Sequence, residues 1–406
     1  MKKILCFILL AALSLSAFSL LSFAEDDSAE YDYTALRGSS LTVYNWGEYI
    51  SDGSEGTYNV IAEFEALTGI RDNYETYDSN ESMYAKLKSG ATNYDVIIPS
   101  DYMIQRLADE GMLEELDFSN IPNYKYIDDK YKGLFYDPEN KYTAAYTAGY
   151  VGLIYNTEVV KEAPNSWSIM WDEQYIGSIL MPNNPRDAFG VAQYLLGYSV
   201  NSTSEEEWYT VLDKLKEQKP LVKGYVMDEI FNKMESGDAA IAAYYAGDFL
   251  TMYCENDSLA FVYPDEGTNV FVDAMCIPKG AKNKAAAEMF INFMLEPEVA
   301  VANAEYICYA SPCASVYTDE GYIETMTEIH ENAMEILYGT DGVRAQYFEN
   351  MSSDMLSLMN HLWEELKIDA SSGVGIYVAS AVIVLGLIII IAANAYKKKK
   401  RAKYYD

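Results

Sequence analysis

Tyr146 to Tyr155 reads YTAGYVGLIY, an uncharged run with glycines at 149 and 152. Apolar and interleaved with glycine, it suits a strand that crosses between two lobes of a protein. A second run, Phe271 to Pro278 (FVDAMCIP), suits a strand that crosses back. Two crossings separate the chain around them into two bodies, each of which needs its own core. A length of 406 residues with half of them hydrophobic is enough for two or three bodies.

The blocks beside the crossings alternate strand and helix patterns. Leu41 to Tyr44 is a strand, and Tyr58 to Leu67 has helical periodicity ending at Thr68-Gly69. Asp78 and Glu81 stand at capping-box spacing before a helix over Ser82 to Lys88, which Gly90 closes. Tyr94 to Ile98 is a buried strand, followed by a helix from Met103 to Glu110 that stops at Gly111. Residues 112–143 are loop-rich. A second unit has a strand at Ser178 to Met181, a polar loop to Asp187 and a helix at Ala188 to Tyr198. Surface helices at Glu205 to Glu217 and Met227 to Ser236 follow, then a strand at Ala239 to Tyr245 and a loop Ala246-Gly247-Asp248. Lys284 to Leu295, Pro297 to Ala304, Glu324 to Leu337 and Asp354 to Leu366 read as helices, with a short loop or strand at Tyr306 to Ala310. The pattern predicts an α/β protein: two lobes with parallel sheets, hinged like a clam shell around a cleft.

In such sheets ligands bind beyond the carboxyl ends of strands. The first strand opens there into Asn45-Trp46-Gly47-Glu48-Tyr49, a glycine between two aromatic residues and next to a carboxylate. The Tyr94 strand opens into Pro99-Ser100-Asp101-Tyr102. Rings and carboxylates together suit an organic cation, because the ring quadrupole attracts the charge and carboxylates accept its N–H groups.

Formal net charge is −33, and the two basic chain ends carry +7 of their own, so the body stands near −40. Such a surface repels nucleic acid and attracts cationic ligands. Met1-Lys2-Lys3, the apolar stretch Ile4 to Phe23 and the small residues before Glu25 predict a signal peptide cleaved after Ala24. Residues 25–38 form an acidic spacer. Val374 to Tyr396 has no charge and is followed by Lys397 to Arg401, which predicts a single membrane-spanning helix with a basic cytoplasmic tail at 397–406 and the ligand-binding part outside. Cys254, Cys276, Cys308 and Cys313 remain after cleavage and allow three disulfide connectivities; Cys308 and Cys313 are near enough in sequence to pair, and free buried thiols are the equal alternative. No Cys-x-x-Cys supports a zinc or redox site.

Enzyme readings find little support. His330 and His361 are the only histidines, and G-x-S-x-G, H-E-x-x-H and phosphate-cradling glycine loops are absent. Paired carboxylates would serve a glycosidase only if they flanked one bond. The expectation is a binding protein with no catalytic residue, metal or cofactor.

VYNWGEYI, SNESMYAKLKSGATNYDVIIPSDYMIQRLADEGML, SWSIMWDEQYIGSILMPNNPRDAF, YYAGD, DEGTNVFVDAMCIPKGAKNKAAAEMFINFML and ICYASP together resemble the polyamine-binding subunits of ABC importers, over nearly all of residues 41–366. The resemblance implies a periplasmic-binding-protein type II fold that closes on an extended polyamine. Lobe 1 is then 39–147 with 272–317, and lobe 2 is 148–271 with 318–367. The implied ligand contacts are Trp46, Glu48 and Tyr49 in the first loop and Ser100 and Tyr102 in the second. In lobe 2 they are Asn184, Asp187, Tyr245 and Asp248; Phe271, Asp273, Tyr309 and Glu349 complete the set. Asn184 replaces an acidic residue of spermidine binders, and Asp248 is similar to the aspartate of putrescine-preferring relatives, so the two lean toward the shorter diamine. Implied partners are the polyamine and the permease and ATPase subunits of the importer, with the chain itself a monomer. An anchored sensor without transport is the alternative. Asp187 also has a local alternative, capping the helix that begins at Ala188.

Overall fold

The computed structural model describes residues 31–368. Strands β1 (Ser40–Trp46), β2 (Arg71–Tyr77) and β3 (Val96–Ile97) form a parallel sheet in the order β2-β1-β3. Helices Val60–Thr68 and Asn80–Ser89 join successive strands. Leu41 and Val43 of β1, Val96 and Ile97 of β3 and the Phe64 ring are fully buried, and Phe64 meets Phe290 edge to face at 5.2 Å between centroids. Gly69 ends the first helix in the left-handed region at φ 70°, a conformation that costs glycine nothing.

The second sheet contains β4 (Ala144–Asn156), β5 (Ile179–Pro182), β6 (Val222–Val226), β7 (Ile241–Tyr245), β8 (Leu259–Val262), β9 (Thr268–Met275) and β10 (Ala345–Tyr347). Its order is β10-β9-β4-β7-β5-β6, with β8 also on β4. It is mixed: β4 runs antiparallel to β7, β8 and β9, while β5 is parallel to β6 and β7. β4 and β9, the two strands expected to cross between lobes, pair from Ala144↔Met275 to Tyr150↔Val270. Beyond β9, Cys276 and Ile97 exchange main-chain hydrogen bonds at 2.8 and 2.9 Å, which ties the return crossing to the first sheet. The glycines of β4 are seats for rings. A Cβ at Gly149 would lie 2.5 Å from the Phe271 ring, and one at Gly152 would lie 2.3 Å from Phe261.

Several local expectations change. β2, β6 and β8 have no strand signal in the sequence. β2 (RDNYETY) is an edge strand of the first sheet with only Tyr77 buried, β6 (VKGYV) carries lysine and glycine at an edge of the second sheet, and β8 is four residues long. Ser79, not Asp78, caps the helix Asn80–Ser89 and forms a capping box with Ser82. Ala246-Gly247-Asp248 is the first turn of a helix, Ala246–Glu255, rather than a loop. The helix expected over Glu324 to Leu337 is two, Glu320–Ile329 and Ala333–Tyr338, broken at His330. Tyr306 and Ile307 continue the helix Pro297–Ile307, which Cys308 ends at φ 58°. Cys313 is a buried free thiol, so the bridge to Cys308 is not made.

The helix Ser353–Lys367 belongs to a separate compact unit. It is amphipathic, with Met355, Met359, Leu362 and Leu366 buried and Asp354 in its first turn. At 1.5 Å per residue, its 15 residues reach about 22 Å, short of a ~30 Å hydrocarbon core. No helix among the described residues is long and apolar enough to cross a membrane. The structure gives no support to the single-pass anchor expected at 374–396, the cytoplasmic tail or the membrane localisation built on them; those residues, like the expected signal peptide at 1–24, lie outside the described ones.

Candidate functional site

Strand ends and helix starts converge on one cleft of about 750 Å³ of empty space. β1 delivers Trp46, Gly47, Glu48 and Tyr49 to it, and the turn after β3 delivers Ser100 and Tyr102. β5 leads to Asn184 and Asp187, and β7 leads to Tyr245 and Asp248. β9 presents Asn269, Phe271 and Asp273, alternate residues and hence one face of the strand. Tyr309 closes the wall. Twelve of the thirteen residues expected from the sequence are brought together here.

The exception is Glu349, which does not line the cleft. Its main-chain carbonyl accepts from Nη2 of Arg186, and its neighbour Phe348 is the lining residue. The guanidinium of Arg186 lies between the Tyr102 and Phe348 rings, 4.8 and 4.7 Å from their centroids, and holds that side of the cleft together.

The walls are aromatic and interlocked. Tyr49 meets Tyr309 edge on at 5.1 Å, Phe271 meets Tyr245 at 5.5 Å, and Phe271 meets Tyr309 at 6.3 Å. Trp46 is fixed by an indole N–H that donates to the Ile98 carbonyl at 2.9 Å. Gly247 lets the Tyr309 ring lie on the helix start, since a Cβ there would come within 2.5 Å of it.

Three carboxylates define the chemistry. Asp273 accepts from the Tyr49 hydroxyl through Oδ2 at 2.8 Å, and its buried Oδ1 has no hydrogen-bond partner. Asp187 repeats the arrangement: Oδ2 accepts from Tyr245 at 2.7 Å and the buried Oδ1 has no partner. Burial pushes both carboxyls up to about 6 and Asp248 up to about 7. The Tyr49 hydrogen bond opposes the shift at Asp273, and the Tyr245 bond and the neighbouring Arg186 guanidinium oppose it at Asp187. Asp187 and Asp248 also sit in the first turns of helices, where the N-terminal dipole favours an anion. Asn184, not Asp187, is the cap of its helix and accepts from the Arg186 N–H at 2.9 Å. No lysine or arginine is among the lining residues. The result is a slot of rings around buried carboxyls, with the Arg186 guanidinium acting on Asp187 from behind the lining.

The sequence reading did not single out Asn80, Asp228 or Asn269. Asn80 donates to the Ser100 hydroxyl at 3.0 Å and to Tyr102 at 3.1 Å, holding both in place. Asp228 stands so close to the opposite loop that a Cβ on Gly47 would lie 3.0 Å from its Oδ2. Burial raises its carboxyl, and Glu48 adds to the rise. Asn80 follows β2 and Asp228 follows β6, two strands without a sequence signal; a search for strand ends would have reached both had those strands been visible. Asn269 lies two residues before Phe271, and the same alternation points to it.

The arrangement has the parts for holding a cation. No histidine, cysteine or lysine lines the cleft, and no group of three or more metal-ligating side chains occurs among the described residues. His330 accepts from the Asn332 N–H at 3.0 Å and packs against Tyr253, outside the cleft lining.

Residues 91–327 match the family described as bacterial extracellular solute-binding protein. The spermidine/putrescine-binding periplasmic protein of Escherichia coli K12 is 34% identical over 277 residues, 67% of this chain and 77% of that protein. A putrescine-binding periplasmic protein of the same organism is 29% identical over 298 residues, 68% of this chain and 79% of that one. Among solved structures, a spermidine/putrescine ABC transporter protein from Listeria monocytogenes superposes with a TM-score of 0.75 at 37% identity, covering 82% of this chain and 99% of that one. The corresponding substrate-binding protein of Streptococcus pneumoniae gives 0.66 at 34% identity, covering 81% and 99%. These relatives are binding proteins, not enzymes.

Proposed function

This chain belongs to the bacterial extracellular solute-binding proteins, and from that membership we propose that its cleft captures a polyamine, putrescine or spermidine, for delivery to an ABC importer. The observation that carries the reading is the pair Asp187 and Asp273, each buried with one carboxylate oxygen bonded to a tyrosine and the other without a partner. A buried carboxylate without a cation is costly, and an ammonium group that donates to the open oxygen removes the cost. Methylenes between the ammonium groups then lie against Trp46, Tyr245, Phe271 and Tyr309.

Each charge-assisted hydrogen bond contributes on the order of 1.5–3 kcal/mol and each desolvated cation–π contact about 0.5–2 kcal/mol. Two held ends and several ring walls bring the total to micromolar binding, about −8 kcal/mol, after ordering costs. The lobes act as two bodies that close about the β4–β9 crossing. A permease reads the closed form. The names of the relatives and the acidic cleft support this reading. Calorimetric titration with putrescine, cadaverine, spermidine and spermine tests it. Heat of binding at micromolar concentration is expected for at least one; no binding of any of the four at millimolar concentration would sink the proposal.

A further inference from the structure

β9 presents three side chains to the cleft at the strand period: Asp273, Phe271 and Asn269. The first two have their chemistry assigned above. Asn269 does not, and it has the same anomaly as the two aspartates. Its side chain is 5% exposed, it lines the cleft, and its buried Oδ1 has no hydrogen-bond partner. A buried amide oxygen left without a donor loses the hydrogen bond it would make to water, a penalty that a ligand N–H removes.

The spacing says which N–H. Four residues of strand put Asn269 roughly 13 Å from Asp273 along β9. A fully extended chain advances about 1.2 Å per bond. On that scale a diamine with four methylenes spans roughly 6 Å between nitrogens and a triamine with four and three methylenes roughly 11 Å. An ammonium on Asp273 therefore leaves the far nitrogen of the diamine short of Asn269, whereas the far nitrogen of the triamine reaches it. Phe271 lies between the two acceptors on the same face and covers the methylenes.

We propose that Asn269 Oδ1 accepts an N–H from the far end of the ligand and so makes the cleft a triamine site. This rests on the polyamine reading. It also counters the lean toward a diamine drawn from Asn184, because the acceptor comes from a strand rather than from the loop where the acidic residue is replaced. Diamines still bind through the carboxylates and leave Asn269 without a donor.

Titration of the protein and its Asn269→Leu variant with putrescine and spermidine tests this. Leucine keeps the volume and removes the acceptor. The expected result is about a tenfold loss for spermidine, the scale of one hydrogen bond to a charged group, with less than a twofold change for putrescine. Equal losses for both ligands would make Asn269 structural, and no loss for either would remove it from the site; both outcomes overturn the inference. If the leucine variant does not fold, Asn269→Ala, which also lacks an acceptor, carries the same expectation. A parent protein that binds neither amine refutes the functional reading instead, so the two failures are distinguishable.

Discussion

The Tyr49 hydroxyl donates to Oδ2 of Asp273 at 2.8 Å, joining the loop after the first strand to β9, more than 200 residues further along the chain. The same carboxylate keeps its buried Oδ1 without a partner. One oxygen is thus held by the protein, and the other is left for what enters the cleft.

Asp273→Asn removes that charge while keeping the shape. Affinity for the bound amine is expected to fall by roughly ten- to hundredfold, the scale of one charge-assisted hydrogen bond. The empty variant is expected to unfold at a higher temperature at neutral pH, because no buried anion remains to be desolvated. Calorimetry and thermal unfolding check the two halves. An unchanged Kd would take Asp273 out of the site.

The same carboxylates set a pH dependence. Burial raises Asp187 and Asp273 to about 6 and Asp248 to about 7, from 3.8. Between those values the folded state binds more protons than the unfolded state. These groups therefore make the empty protein less stable as pH rises from about 4 to about 7. A bound ammonium favours the ionised form, so ligand affinity rises over the same window. Unfolding temperatures at pH 5 and 7.5, with and without ligand, read this directly. A ligand-induced gain in stability that is equal at both pH values contradicts it.

Gly149 and Gly152 offer a matched pair. Alanine at 149 displaces Phe271, a cleft wall; alanine at 152 displaces Phe261, which is not among the cleft-lining residues. Each is expected to lower stability by about 1–3 kcal/mol through overpacking. Only Gly149→Ala should also weaken ligand binding, by several fold. Denaturant titration with calorimetry separates them, and a binding loss in both variants would show that the effect is general strain.

Glu349 supplies a main-chain carbonyl to Arg186, not its carboxylate to the cleft. Glu349→Gln is therefore expected to leave affinity within about twofold of the parent. A tenfold loss in titration would return the side chain to the site.

Much of this was legible in the chain. The apolar strands β4 and β9, the strand–helix alternation, the YNWGEY, PSDY and NNPRD strand ends and the FVD within β9 all lie where the fold uses them. They were legible because periodicity and end signals are local. β2 and β6 were not, since edge strands pair through main-chain groups and need little apolar sequence. With them went Asn80 and Asp228, which the cleft receives from those strand ends. The interleaved glycines of β4 were visible, but that each seats a ring from a strand more than 100 residues away was not.

By itself the sequence determined an α/β chain of alternating strands and helices, an acidic composition and rings beside carboxylates near strand ends, all properties of residues near one another in the chain. Tertiary structure alone decided which of those carboxylates keep an oxygen without a donor. Asp187, Asp273 and Asn269 are three acceptors among many polar residues until burial removes water from them, and burial depends on how distant segments pack.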